Sequence, residues 1–324
     1  MWAWPSTSSG SVAVWSREHR AEDRRNIMEQ PQSEKFEKDA AKSPLIVVGV
    51  DGSDDGLRAV RFGANTAREF GGELMLVHAV DDAMLAGAWG VVYDPEVLQN
   101  AGVTANLQAK GLALELGLPE DRVRTEVVLG SPGGVLGRLS EVADLIVLGR
   151  RSVSGLERMF VGSTSVSVVT NSSCPVLVIS AAAHPIDVGG KKLIGVGMNT
   201  SPGNHATLEV AFRQARRFQS SLEIVHALQP PIGIFSKKLS PDDLQEQLRY
   251  IRGGIEAIAK SIAERYPEVP YKVVVVADSP INELVGRTPN YDALVLGISN
   301  GGFGLGGLVR GLMAHAECPL LITH

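Results

Sequence analysis

The chain has 324 residues, of which 44% are apolar and 21% are charged, a composition typical of a globular protein with room for two domains. The formal net charge of −5 argues against a general nucleic-acid binder or a protein drawn to anionic membranes, because both need a basic face. No apolar run approaches the ~20 residues that span a bilayer, and the N-terminus lacks the apolar region of a signal peptide. We therefore expect a cytoplasmic protein that binds neither nucleic acid nor membrane.

The first segment, residues 1–42, mixes tryptophan, serine and charged residues without helical or strand periodicity. This pattern predicts a disordered tail. An upstream extension ahead of a start at Met28 is the other interpretation of its first part.

Short motifs recur at a constant spacing along the rest of the chain, which indicates an internal repeat. The segment 50–53 (VDGS) aligns with 198–201 (MNTS), and 77–79 (VHA) aligns with 225–227 (VHA), both 148 residues apart. The pair Cys174-Pro175 recurs as Cys318-Pro319, only 144 residues later. Two copies of one module are therefore expected, and they differ in length by four residues just before the last strand.

Each copy alternates apolar, β-branched runs with helical patterns, and the boundaries follow from these runs and from capping residues. The first copy is predicted to contain strands at 45–50, 73–80, 124–129, 144–148 and 175–179, with helices from Ser53 to Phe70, at about 94–117, from Ser131-Pro132 and from Gly162. Strands separated by helices imply right-handed crossovers and a parallel sheet. We expect an α/β fold with two tandem doubly wound, five-stranded parallel-sheet domains of Rossmann-like type, at 43–182 and 191–324, joined by a linker at 183–190.

The candidate chemistry lies where strands end, since ligands of open parallel sheets bind beyond the carboxyl ends of the strands. Asp51 follows the first strand, and Gly149 ends the fourth. The segment 162–165 (GSTS) then opens the last helix and offers backbone N–H groups to an anion. Several N–H groups must act together, because the helix dipole contributes only ~0.3–1 kcal/mol per exposed charge. A loop with an ordinary capping serine is the alternative interpretation.

Four features together resemble the universal stress protein family: the segments 50–53 (VDGS), 76–79 (LVHA) and 174–178 (CPVLV), and the pattern Gly149-x2-Ser152-x9-Gly162-Ser163. The resemblance covers both copies, about residues 43–324. Nucleotide-binding members of that family carry a second glycine where this chain has Ser152. The resemblance implies an adenine nucleotide alpha hydrolase-like fold and an adenine-nucleotide site in the first copy.

The resemblance also implies which residues form that site. Val50 and Asp51 would contact the adenosine moiety, and the backbone of Ala79 would line the adenine. The ribose and phosphates would be surrounded by Gly149, Ser152, Gly162, Ser163 and Thr164. The Ser165 hydroxyl and one arginine, Arg151 or its neighbour Arg150, are further candidate donors to the phosphates. The expected ligand is ATP, with or without Mg²⁺.

The second copy departs from the family pattern at its corresponding site. Asn199 replaces Asp51, which removes the carboxylate, and the loop after Gly297 is four residues shorter. The residue after the helix-opening glycine is Gly307 instead of a hydroxyl residue. One nucleotide per chain is therefore expected.

The sequence shows no feature that would activate water or a nucleophile. It has no P-loop lysine, no strand-linked Gly-x-Gly-x-x-Gly and no metal-ligand spacing. His78 and His226 occupy the same strand-end position in both copies, which favours a structural role. We expect no enzyme activity, and the resemblance implies a role in stress or growth-arrest adaptation through nucleotide-dependent conformation or partner binding. The alternatives are a binder of cyclic AMP or another adenine nucleotide, a slow ATPase, and a structural module that binds nothing.

The last strand of each copy, near 176–179 and 320–323, is strongly apolar and would be prone to aggregation as a free edge. Two copies of one fold can cover these edges reciprocally, as the resemblance also implies. We expect the copies to pack around a pseudo-twofold axis near these strands, and the same kind of pairing could form a homodimer. The two cysteines are expected to be buried strand residues and not a disulfide.

Overall fold

The computed structural model describes residues 43–81, 94–150, 161–180, 182–183, 192–199, 204–229, 240–298 and 306–324. The tail predicted at 1–42 and most of the predicted linker lie outside these residues, as do two candidate site residues, Arg151 and Ser152.

The described residues form ten strands and eight α-helices, which we number in chain order. The strands are β1 Leu45–Gly49, β2 Glu73–Val80, β3 Val123–Leu129, β4 Leu145–Gly149, β5 Val176–Ile179, β6 Leu193–Gly197, β7 Ser221–Ala227, β8 Tyr271–Val276, β9 Ala293–Gly297 and β10 Leu320–Thr323. The helices are α1 Asp54–Phe70, α2 Pro95–Glu115, α3 Pro132–Leu139, α4 Ser163–Asn171, α5 Asn204–Arg217, α6 Pro241–Ala263, α7 Pro280–Arg287 and α8 Gly307–His315. None of these helices combines the length and the apolarity that a membrane span requires.

The strands form one sheet in the order β3-β2-β1-β4-β5-β10-β9-β6-β7-β8. Each repeat contributes five parallel strands with the same internal order, so the predicted doubly wound α/β fold is confirmed. The two halves join through β5 and β10, which pair antiparallel with Leu177 opposite Leu321. This pairing confirms that the last strands lie together, and it makes one ten-stranded sheet in which the strand order reads the same from both edges.

Buried strands and well-capped helices explain why these residues form these elements. Ile46, Val47 and Val48 are at most 2% exposed, because β1 is covered on both faces of the sheet. The Ser53 hydroxyl accepts the N–H of Gly56 at 3.0 Å and so caps α1. Gly71 ends this helix in the left-handed conformation, with φ of 61°.

The core is divided by the sheet, and one side of it is shared by both repeats. On that side, residues of α4 such as Val168 and Val169 belong to one apolar cluster with Leu312 and Met313 of α8. On the other side each repeat has its own cluster, built on α1 and α2 in the first repeat and on α5 and α6 in the second. The repeats therefore share a core through α4 and α8 together with the paired strands β5 and β10.

Candidate functional site

A cleft of 620 Å³ opens at the carboxyl ends of the first repeat's strands, a volume within the ~300–1,000 Å³ usual for small-molecule sites. It lies where the strand order reverses between β1 and β4, the place where doubly wound sheets bind their ligands. Its lining includes the eight candidate residues that the structure describes: Val50, Asp51, Ala79, Gly149, Gly162, Ser163, Thr164 and Ser165. The structure thus brings together around one cleft residues that are up to 115 positions apart in the chain.

Asp51 is held at the start of α1 by its own neighbours. Its Oδ1 accepts hydrogen bonds from the Ser53 N–H at 3.0 Å and from the Ser53 hydroxyl at 2.6 Å. The next residue, Gly52, has a φ of 79°, a left-handed conformation that favours glycine. The side chain of Asp51 is exposed, and its Oδ2 accepts no hydrogen bond from the part of the chain that the structure describes. One carboxylate oxygen is thus fixed by the protein while the other can accept from a ligand.

Val50 lines the cleft with its apolar surface, because its backbone polar groups already have partners. Its N–H donates to Val77 O at 2.8 Å, and the Nδ1 of His78 lies 2.9 Å from its carbonyl, which accepts the imidazole N–H. In the second repeat His226 Nδ1 lies 3.0 Å from Met198 O. The same contact in both repeats agrees with the structural role predicted for the two histidines.

The N-terminus of α4 offers three backbone donors to the cleft. Gly162 precedes the helix, and the first helical hydrogen bond runs from Val166 N–H to Gly162 O at 3.1 Å. The N–H groups of residues 163–165 come before that bond and have no acceptor within the described residues. Three adjacent N–H groups at the positive end of a helix are suited to a phosphate or another anion.

The three hydroxyl residues of this turn differ in availability. Ser163 is exposed and Thr164 is half-buried, so both hydroxyls can reach a ligand in the cleft. Ser165 is 4% exposed and its hydroxyl donates to Gly149 O at 2.9 Å, which joins the end of β4 to the start of α4. The hydroxyl hydrogen of Ser165 is therefore used within the protein, and this residue could serve a ligand mainly through its backbone N–H.

Gly149 is needed at the end of β4 for steric reasons. A Cβ at this position would lie 2.7 Å from the backbone carbon and oxygen of Asp55, in the first turn of α1. Glycine therefore allows β4 and α1 to approach closely, and this approach shapes the floor of the cleft between Asp51 and α4.

Several cleft residues are not among those predicted from the sequence. Leu98 and Ala101 of α2 contribute apolar surface, and Ser131 and Gly133 at the start of α3 contribute polar and backbone surface. Ser131 directly follows the end of the third strand, which is a signal for the cleft, but the serine and proline there also have the simpler role of opening α3. The apolar residues of α2 gave no signal, because nothing in the helical period distinguishes a core contact from a ligand contact.

The charge of the cleft is negative over the residues that the structure describes. Asp51 and Asp81 line it, and its described lining contains no lysine or arginine. Within the same described ranges, no cluster of three or more His, Cys, Asp or Glu side chains could hold a metal ion. The described groups of the cleft that can donate to an anion are its backbone N–H groups and hydroxyls.

The chain matches the model of the universal stress protein family twice, at residues 45–180 and 191–324. It is 30% identical over 281 residues to a universal stress protein of Mycobacterium tuberculosis strain H37Rv, covering 84% of this chain and 92% of that one. A universal stress protein of Mycolicibacterium smegmatis is 28% identical over 296 residues, covering 86% of this chain and 96% of the relative.

A similar fold is found in the crystal structure of a universal stress protein from Archaeoglobus fulgidus, with a TM-score of 0.65 and 16% identity over 87% of this chain and 96% of that one. The two matching segments coincide with the two repeats, and the long alignments run through both. The chain belongs to the universal stress protein family and contains two of its domains in tandem.

Proposed function

We propose that the first repeat binds an adenine nucleotide, and ATP in particular, in the cleft between β1 and β4. The single observation that carries the proposal is the meeting of two unlike groups in one cleft. The exposed carboxylate of Asp51 lies at one side, and the three N–H groups at the start of α4 lie at the other. A carboxylate accepts from ribose hydroxyls or the adenine amino group, whereas helix N–H groups donate to phosphates.

In the proposed complex, the adenine lies along the backbone of Ala79, under the apolar cover of Leu98 and Ala101. Asp51 Oδ2 accepts from the ribose, and residues 162–164 surround the phosphates. Arg151 and Ser152 lie outside the described residues and stay candidate contacts of the phosphates. Each described candidate residue is thus given a contact that its own hydrogen bonds within the protein leave available.

The negative cleft adds a requirement to this proposal. The exposed carboxylate of Asp51 would repel a triphosphate bound in the same cleft. ATP is therefore expected to bind as its Mg²⁺ complex, with the metal carried mainly by the phosphates. The same observation favours cyclic AMP as the second candidate, because its single negative charge is repelled less.

We further propose that the protein is a nucleotide-responsive binding module in stress or growth-arrest adaptation, and not an enzyme. Support comes from the polar groups of the described cleft, which serve the framework. His78 donates to Val50, one oxygen of Asp51 accepts from Ser53, and the Ser165 hydroxyl donates to Gly149. ATP turnover should then remain far below the ~1–10³ s⁻¹ of ordinary enzymes.

Calorimetric titration of the full chain with MgATP, cyclic AMP, adenosine and GTP tests the proposal. We expect ATP to bind and GTP to bind much more weakly. Asp51→Ala should weaken every adenosine-containing ligand by about 1.5–3 kcal/mol, the contribution of a charged hydrogen bond. The matched change in the second repeat, Asn199→Ala, should leave these affinities unchanged.

Three other outcomes would contradict parts of the proposal. Tighter binding of cyclic AMP than of MgATP would assign the cleft to the second candidate. Absence of binding by all four ligands would leave a structural module. Rapid phosphate release that depends on Asp51 would place the protein among the ATPases.

A further inference from the structure

Arg150 connects the loop of the proposed nucleotide site to the second repeat. Its backbone lies at the base of the loop, where its N–H donates to Ile179 O at 2.8 Å and its carbonyl accepts from Gly162 N–H at 3.1 Å. Its half-buried side chain crosses to the other repeat, where Nη1 donates to Ala314 O at 2.8 Å. One residue thus contacts both the start of α4 and the end of α8.

A second contact crosses between the repeats in the opposite direction. The Nε2 of His324, which follows β10, lies 2.8 Å from the carbonyl of Val169 near the end of α4. Both carbonyls, those of Ala314 and Val169, are among the last four of their helices and have no partner within the helix. Arg150 of the first repeat therefore donates to the C-terminal end of α8, and His324 of the second repeat contacts the C-terminal end of α4.

These contacts are not repeated by the pseudo-twofold symmetry. At the positions equivalent to Arg150 and His324, the chain has Ile298 and Ser180. Isoleucine cannot donate a hydrogen bond, and the hydroxyl of the buried Ser180 has no hydrogen-bond partner among the described residues. The two crossing side chains therefore have no symmetry-related counterparts with the same hydrogen bonds among the described residues.

We propose that the second repeat controls phosphate binding by the first repeat, and that Arg150 and His324 transmit this control as positioning residues at the two ends of α4. This inference rests on the proposed nucleotide site. The helix α4 presents the three N–H groups, so its position decides how well they meet the phosphates. Arg150 holds the start of this helix through Gly162, and His324 holds its far end through Val169. The second repeat then serves as a regulatory partner whose own site need bind nothing.

The position of His324 along α4 separates its positioning role from direct contact with the ligand. Val169 lies six residues after Ser163, which is about 9 Å along the helix at 1.5 Å per residue. His324 therefore acts at the opposite end of α4 from the phosphates and can influence them only through the helix. Thermodynamic linkage makes the effect reciprocal, so phosphate binding must in turn stabilise the contacts with α8.

The experiment measures MgATP and adenosine affinities of the full chain by calorimetry, for the wild type, Arg150→Met, His324→Ala and the control Arg249→Met. Arg249 is an exposed residue of α6, far from this contact in the chain. We expect both test variants to weaken MgATP by roughly fivefold or more, within the usual range of coupling between sites, and to change adenosine by less than about twofold. Hydrogen exchange of residues 306–316 should slow when MgATP binds to the wild type, and this slowing should be lost in Arg150→Met.

The possible results distinguish three cases. Equal MgATP affinity in the wild type and both variants, with exchange of residues 306–316 unaffected by the ligand, would overturn the coupling while leaving the proposed function intact. If Arg150→Met weakens MgATP binding but His324→Ala does not, and MgATP does not slow the exchange of residues 306–316, the arginine contacts the phosphate itself. That result also overturns the coupling. A wild type that binds neither MgATP nor adenosine would overturn the proposed function and the coupling with it.

Discussion

The replacement Gly149→Ala tests whether the close approach of β4 and α1 shapes the cleft. The added Cβ would lie 2.7 Å from the backbone carbon and oxygen of Asp55. That distance is roughly 1 Å inside an optimal contact of ~3.5–4.0 Å, and backbone atoms cannot rotate away as a side chain can. Overpacking of this kind costs about 1–3 kcal/mol of the free energy of unfolding.

The same replacement should also reduce nucleotide affinity. Relief of the clash requires the start of α1 to move away from β4, and Asp51 is bonded to Ser53 at that start. The carboxylate would then be displaced from the N–H groups of α4. We expect weaker MgATP binding together with a lower urea midpoint of unfolding.

Gly111→Ala is the matched control, because it makes the same chemical change at a site with open space. No atom lies within 4 Å of a Cβ built on Gly111, which lies within α2. Alanine should stabilise this helix by about 0.5–1 kcal/mol and leave MgATP affinity unchanged. The two replacements should therefore shift the urea midpoint in opposite directions. Equal shifts, or a Gly149→Ala protein with the stability and affinity of the wild type, would refute the steric account of the cleft.

Three further predictions follow from charges and burial. Removal of Mg²⁺ by EDTA should weaken ATP binding at least about tenfold, ~1.4 kcal/mol, because the exposed carboxylate of Asp51 repels the bare triphosphate. Equal affinity in titrations with and without Mg²⁺ would contradict this. Burial raises the pKa of the Cys174 thiol, so its thiolate is scarce at pH 8. Because Cys174 and Cys318 are both buried, a chromogenic disulfide reagent should titrate the two cysteines quickly only after denaturation. Arg287→Leu should lower the free energy of unfolding by about 1.5–3 kcal/mol in urea denaturation, because it removes the charged 2.6 Å hydrogen bond to the buried carboxylate of Glu223. The Lys272 ammonium at 3.2 Å and the Tyr291 hydroxyl at 2.8 Å remain as partners of Glu223. A change below about 0.5 kcal/mol would show that the pair is screened by solvent.

The secondary structure could be predicted closely because burial of strands on both faces leaves a plain signal. The predicted strand 73–80 has the same bounds as β2, and the predicted start of β3 differs by one residue. The helix predicted at 94–117 ends earlier, at Glu115, since Gly117 adopts a φ of 84° that no helix can continue. Local pattern and capping chemistry were sufficient for these elements.

The contacts between distant segments could not be predicted in the same way. The hydrogen bond from Arg150 to Ala314 joins residues 164 positions apart, and neither residue type indicates its partner. The use of Leu98 as a cleft residue depends on how α2 lies over the sheet. The repeat itself indicated that the last strands would meet, but not that they would form one continuous sheet.

The buried charge of the second repeat shows a further limit of the sequence pattern. Glu223 and Tyr291 occupy the positions of Met75 and Ala143 in the first repeat. The Tyr291 hydroxyl donates to Glu223 at 2.8 Å, and burial together with this carboxylate raises the pKa of the tyrosine. Alternation of polar and apolar residues indicates an exposed position for a strand glutamate, whereas Glu223 is 5% exposed because its partners satisfy it inside the core.

The central claim is that only the first repeat binds an adenine nucleotide, and the stoichiometry of MgATP binding tests it most directly. Titration of the full chain should give one nucleotide per chain, and native mass spectrometry should show one ATP mass added to each chain. Asp51→Ala should weaken this binding, while Asn199→Ala should leave both the number and the affinity unchanged. Two nucleotides per chain, or a single nucleotide whose binding survives Asp51→Ala and is lost in Asn199→Ala, would contradict the account.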